Sequence, residues 1–122
     1  MGFFSNVFGK RPSSQNPEDD FLVTITESSV KVQHPTRKTE EAFWSDLIEI
    51  RLINTDAGPV MPDVWLALMG TSSGCLIPQG AKGYDEVYDI VSKYEGFDFN
   101  KVIESMGCTD NAQFVLWKKP GP

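Results

Sequence analysis

The chain has 122 residues, 40% of them hydrophobic, enough for one compact domain with a real core. Its 17 acidic side chains outnumber 11 basic ones for a net charge of −6, which argues against nucleic acid as a partner, since phosphate binding needs a cationic surface. The longest apolar run falls far short of the ~18 residues a membrane span requires, and the lysines and arginines form no stripe.

Residues 1–11, "MGFFSNVFGKR", are apolar with a basic end and lack the pattern of a secretory signal. Residues 12–20, "PSSQNPEDD", hold two prolines, small polar side chains and three acids, the composition of a flexible linker. The expected division is therefore a flexible N-terminal segment over 1–20 and a single domain over 21–119.

That domain opens with "FLVTIT", alternating and rich in β-branched residues, which predicts a strand. "VKVQ" pairs back with Val30 and Val32 on one face, and His34-Pro35 stops it because proline restrains its predecessor and donates no ladder hydrogen bond. A polar loop, "PTRKTEE", leads through "AFWSD" to "LIEIRLINTD". There Ile48, Ile50 and Leu52 alternate with Glu49, Arg51 and Ile53, the period-two pattern of a half-buried strand. "AGPVMPD" reads as a connection. "VWLALM" reads as a covered central strand, "GTSSG" as a turn, and "CLIP" as a short strand ended by Pro78. These runs predict an antiparallel meander of five or six strands.

The period then changes. Tyr84, Val87, Tyr88 and Val91 stand at i, i+3, i+4 and i+7, predicting an amphipathic helix over 84–94 that Gly96 ends. Asp98 is placed to cap a second helix with Phe99, Val102, Ile103 and Met106 at the same spacing, stopped by Gly107. "AQFVLWKK" alternates as a final strand. Strands segregated before helices define an α+β fold: an antiparallel, strongly bent sheet followed by two helices and a last strand.

Gly70-Thr71-Ser72-Ser73-Gly74 matches G-x-S-x-G, the pattern of a serine nucleophile elbow. An elbow joins a strand to a helix, whereas "CLIP" follows here, and the one histidine, His34, precedes the serine. The turn reading is the expectation. Cys75 and Cys108 form no C-x-x-C pair and read as free thiols; Cys108 follows the negative end of the second helix, which disfavours a thiolate. His34 lacks co-ligands for a metal and reads as a solvated loop histidine. Asp46, Asp56 and Asp63 could be carboxylate ligands for a hard cation, but each sits in turn-forming context and is expected to shape a turn. No P-loop, dinucleotide glycine pattern, zinc helix or EF-hand loop is present, so no cofactor is implied. Trp44, Trp65 and Trp117 could form an aromatic cage; on strands, they are expected in the core.

The N-terminal segment carries the most functional pattern. Phe3, Phe4, Val7 and Phe8 fall in one arc of a helix, with Lys10 and Arg11 beyond, suited to a protein partner, self-association or the surface of a bilayer. About ten residues form a stable helix only when docked. Gly2 lacks the hydroxyl residue that myristoylation wants four positions on, because residue 6 is Asn6.

"FLVTITESSVKV" followed by "AFWSDLIEIRLI" resembles bacterial pleckstrin-homology-like domains over roughly residues 21–95, which implies a half-barrel sheet closed by a helix. The longer string W-S-D-L, T-D-A-G-P, D-V-W-L-A-L-M-G, C-L-I-P, G-F-D and F-V-L-W looks like a family of small bacterial proteins of unknown function. Neither resemblance carries catalytic residues over. The sequence therefore points to a cytoplasmic, non-enzymatic binding module. Its alternatives are an acidic immunity-type inhibitor of a basic toxin enzyme and a small enzyme with an unrecognised carboxylate site.

Overall fold

A computed structural model describes residues 20–55, 64–108 and 111–120. Strands form where alternation predicts them: β1 (Leu22–Ile25), β2 (Ser29–Gln33), and, after one unexpected strand, β3 (Glu40–Phe43), β4 (Leu47–Asn54), β5 (Val64–Gly70) and β6 (Gly74–Pro78). Helices α1 (Tyr84–Val91) and α2 (Phe99–Met106) follow, and β7 (Ala112–Lys118) ends the order. The fold is α+β, with seven antiparallel strands in one open sheet ordered β1-β2-β3-β6-β5-β4-β7.

That order is not the simple meander expected. The chain leaves β3, makes a single 3₁₀ turn over Trp44–Asp46, and starts β4 with two strands lying between them. The β5–β6 hairpin fills the gap, so the 3₁₀ turn arches over the hairpin's tip. Phe43 N–H donates to Ser73 Oγ on one side at 3.2 Å, and Thr71 N–H donates to Asp46 O on the other at 3.3 Å. The β5–β6 register runs Leu66↔Ile77 and Leu68↔Cys75, which makes "CLIP" the extended strand its composition predicts.

Strand β3 was hidden in a stretch that reads as polar loop. Two long-range bonds explain why acidic residues of low β-propensity extend here. Ser29 Oγ donates to the Glu41 carboxylate at 2.7 Å, and Leu76 N–H donates to Glu40 Oε1 at 2.8 Å. The second bond occupies the place a strand carbonyl would take. Indeed β3 and β6 are joined at one register pair, Glu41↔Gly74.

The core lies between the sheet and the helices. Val30, Ile50, Leu66, Leu68, Ile77 and Leu116 from five strands meet Val87 and Val91 of α1, all nearly inaccessible to solvent. Each such side chain contributes about 1.5–3 kcal/mol relative to exposure. Helix α1 ends at Val91, a turn earlier than predicted, and tight turns reach Tyr94 through Lys93 N–H to Ile90 O and Tyr94 N–H to Val91 O. Gly83 precedes it at φ 101°, and a Cβ there would lie 3.0 Å from Val23 Cβ, so both conformation and space require glycine.

Helix α2 departs from expectation. Asp98 caps it as predicted, accepting from Lys101 N–H at 3.2 Å. Yet the residues turned inward are Ser105, which is buried, and Val102, which packs against the core. Phe99, Ile103 and Met106 remain 53%, 65% and 75% exposed. Asn54, buried on β4, ties the helix end to the sheet: its Nδ2 donates to Ser105 O at 3.0 Å and Cys108 O at 3.3 Å, two carbonyls at and just past the C-terminal end of α2.

Candidate functional site

The G-T-S-S-G loop is a turn built around one carboxylate. Asp46, at the end of the 3₁₀ arch, accepts from Thr71 Oγ1, from Ser72 N–H at 3.0 Å, from Ser73 Oγ at 2.8 Å and, more weakly, from Ser72 Oγ at 3.4 Å. Gly70 N–H closes the turn on Ser73 O at 2.8 Å. These donors, the Thr71 hydroxyl first, hold the Asp46 carboxyl well below the ordinary carboxylate range. Gly70 is required by closeness: a Cβ would meet Asp46 O at 2.9 Å. Strand β6 begins at Gly74, so Ser72 stands at a hairpin tip and not on a strand-to-helix elbow.

The other reactive types are placed elsewhere. Cys75 is buried in the core, and desolvation followed by the nearby Glu40 pushes its thiol up to about 12, the opposite of an activated nucleophile. Cys108 is half-buried just past α2, where its N–H donates to Ser105 O at 3.1 Å. His34 is not freely solvated as expected: its ring packs 4.5 Å from that of Phe21, and its Nδ1 accepts from Thr36 N–H at 3.1 Å. Asp56 and Asp63 lie outside the described residues. Among the described residues, no three His, Cys, Asp or Glu side chains are grouped to hold a metal ion.

The three tryptophans, expected together in the core, separate. Trp65 is buried, edge-on to Phe21 at 5.5 Å, with the Arg37 guanidinium 5.1 Å above its ring. Trp44 and Trp117 are only half-buried, and with Tyr94 they line a shallow surface groove of about 350 Å³. Trp44 Nε1 donates to Thr26 O and Trp117 Nε1 to Glu95 O, each at 3.0 Å, so both indoles are fixed by backbone carbonyls. A second groove, of about 500 Å³, runs beside the β3–β6 junction over Ala67, Met69 and Leu76. Its Arg51 is already engaged, bridging to Glu49 and donating to Gln113 Oε1 at 2.6 Å. That leaves the groove with no uncommitted cation for an anionic ligand.

Among the described residues, three exposed large apolar side chains share one helix: Phe99, Ile103 and Met106 of α2, at i, i+4 and i+7. Phe99 is held edge-on to buried Phe97 at 4.9 Å, which sets the stripe's first ring in place. Sequence reasoning placed these residues, together with Val102, on one apolar face of the helix. The predicted contact residues Phe3, Phe4, Val7, Phe8, Lys10 and Arg11 lie outside the described residues. No helix among the described residues is long and apolar enough to cross a membrane. No protein-family model, no curated protein and no solved structure matches the chain.

Proposed function

We propose that this protein is a non-enzymatic interaction module that docks on a protein surface, either a partner's or that of a second copy. The carrying observation is the α2 stripe, three large apolar side chains exposed on one helix face of a domain whose other helix buries Tyr84, Val87 and Val91. Large exposed apolar groups arranged together mark interaction sites far more often than they occur by chance on a monomer. Helix-in-groove recognition reads anchors at this i, i+4, i+7 spacing. The engaged serines of the G-T-S-S-G loop and the suppressed thiol of Cys75 also favour binding over catalysis.

On this reading the N-terminal residues Phe3, Phe4, Val7 and Phe8, with Lys10 and Arg11, provide a second contact of the same apolar character. The sheet acts as a pleckstrin-homology-like half-barrel that presents both contacts in the cytoplasm. The test compares the full chain with Ile103→Asp and with Phe4→Asp/Phe8→Asp. Measurements are sedimentation-equilibrium mass, cross-linked partner profile and co-sedimentation with anionic liposomes. Loss of association in Ile103→Asp, with an unchanged far-ultraviolet spectrum, is the expected result. Association unaffected by either variant, or liposome binding alone, defeats the proposal.

A further inference from the structure

The structure assigns a peptide-binding role to the Trp44–Tyr94–Trp117 groove, and its ligand is an extended, proline-containing segment with a basic residue beside the prolines. This groove contains none of the stripe residues of α2, so the inference stands apart from the docking proposal above.

Three observations carry it. The first is ring placement. Tyr94 and Trp117 meet edge-to-face at 5.0 Å, and Trp44 lines the same groove, so three aromatic side chains contribute to it. Proline-rich segments in the polyproline II conformation dock on such aromatic-lined surfaces because they lose little conformational entropy on binding. The second is preorganisation. Both indole N–H groups are held by backbone carbonyls, Thr26 O and Glu95 O, which fixes the planes before a ligand arrives. It also means that neither indole donates to the ligand, and recognition rests on ring faces. The third is the groove's own wall. Lys119 N–H donates to Ile48 O at 2.8 Å, which carries the chain past β7, and Pro120, next in the chain, lines the same groove as the three aromatic residues.

Charge selects the flanking residue. Glu95 is exposed at the groove, and the protein carries a net charge of −6. A cation beside the prolines gains from both, whereas Lys119, also in the lining, disfavours a second one. The volume of about 350 Å³ is at the small end for ligand sites, so weak, short-lived binding is expected.

The experiment titrates the ¹⁵N-labelled full chain with a decaproline peptide, with the same peptide carrying arginine at its first position, and with a glycine-serine peptide of equal length. The expected result is movement of the Trp44 and Trp117 indole resonances while that of buried Trp65 stays still. The arginine peptide should bind about threefold more tightly than decaproline, an advantage that Glu95→Gln removes. Trp44→Ala should weaken both proline peptides about tenfold or more. Because Trp44→Ala can perturb folding, Glu95→Gln, an exposed position, is the variant that keeps the test decisive. Unmoved indoles at millimolar proline peptide, or equal shifts with the glycine-serine peptide, overturn the inference.

Discussion

Helices α1 and α2 are the same length and carry the same apolar spacing, yet they end in opposite environments. Tyr84, Val87 and Val91 of α1 are buried against the sheet, while Phe99, Ile103 and Met106 of α2 face outward. Amphipathic spacing says that a helix has an apolar face. It does not say that the same chain covers that face. Coverage is decided by topology: α2 meets the sheet through Val102 and Ser105, and Asn54 holds its end there.

The sharpest way to break this comparison is to place one charge on each stripe. Val87→Asp buries an unpaired carboxylate and should leave the chain unfolded at 25 °C, a loss of roughly 4 kcal/mol or more. Ile103→Asp should change the stability of the monomer by no more than about 0.5 kcal/mol in urea unfolding followed by circular dichroism. Similar losses at both positions would mean that the α2 stripe is covered after all.

The two cysteines sharpen the same contrast between core and helix end. With its thiol raised to about 12, Cys75 has only about one thiolate in ten thousand at pH 8, and its burial excludes reagent as well. A thiol reagent should therefore label Cys108 first, with Cys75 reacting only in denaturant. Early mass-spectrometric labelling of Cys75 in the native chain would contradict the packing of β6.

The smallest effect concerns the arch over the hairpin tip. The Asp46 carboxyl titrates lower in the folded chain than in the unfolded one. Its contribution to stability is thus complete above the unfolded value of about 3.9 and is lost as pH falls below it toward the folded value. The stability difference between the native chain and Asp46→Asn should be constant from pH 8 to about pH 5 and should narrow below about pH 4. A difference that instead widens with acid would show that the loop is held by something other than this carboxylate.

How far the sequence reveals this molecule depends on the range of the interaction. Alternation in "LIEIRLIN" and the capping Asp98 are local signals, and β4 and α2 follow them. The turn at Gly70–Gly74 is local too, since a Gly/Ser/Thr loop followed by a proline-ended apolar run has no helix to start. Strand β3 is the contrary case. "EEAF" extends because Ser29 and Leu76 donate to its glutamates, and those partners lie 12 and 36 residues away. The strand order fails for the same reason: nothing in "WSD" shows that its aspartate will reach 25 to 27 residues ahead to Thr71, Ser72 and Ser73. Of the aromatic groove, Trp44 and Trp117 are visible as tryptophans on or beside strands. Their separation from Trp65 depends on which face the arch leaves open.

The junction where Glu40 stands in for a main-chain acceptor has a mechanical meaning. With one ladder pair joining β3 to β6, main-chain pairing is thinnest at this seam while the shared core still holds the first three strands to the rest, and amides around Leu76 should exchange with deuterium before those of Leu66 or Leu68. Parting there would bare two unpaired rims at once, each able to zip onto the matching rim of another molecule and exchange strands with it.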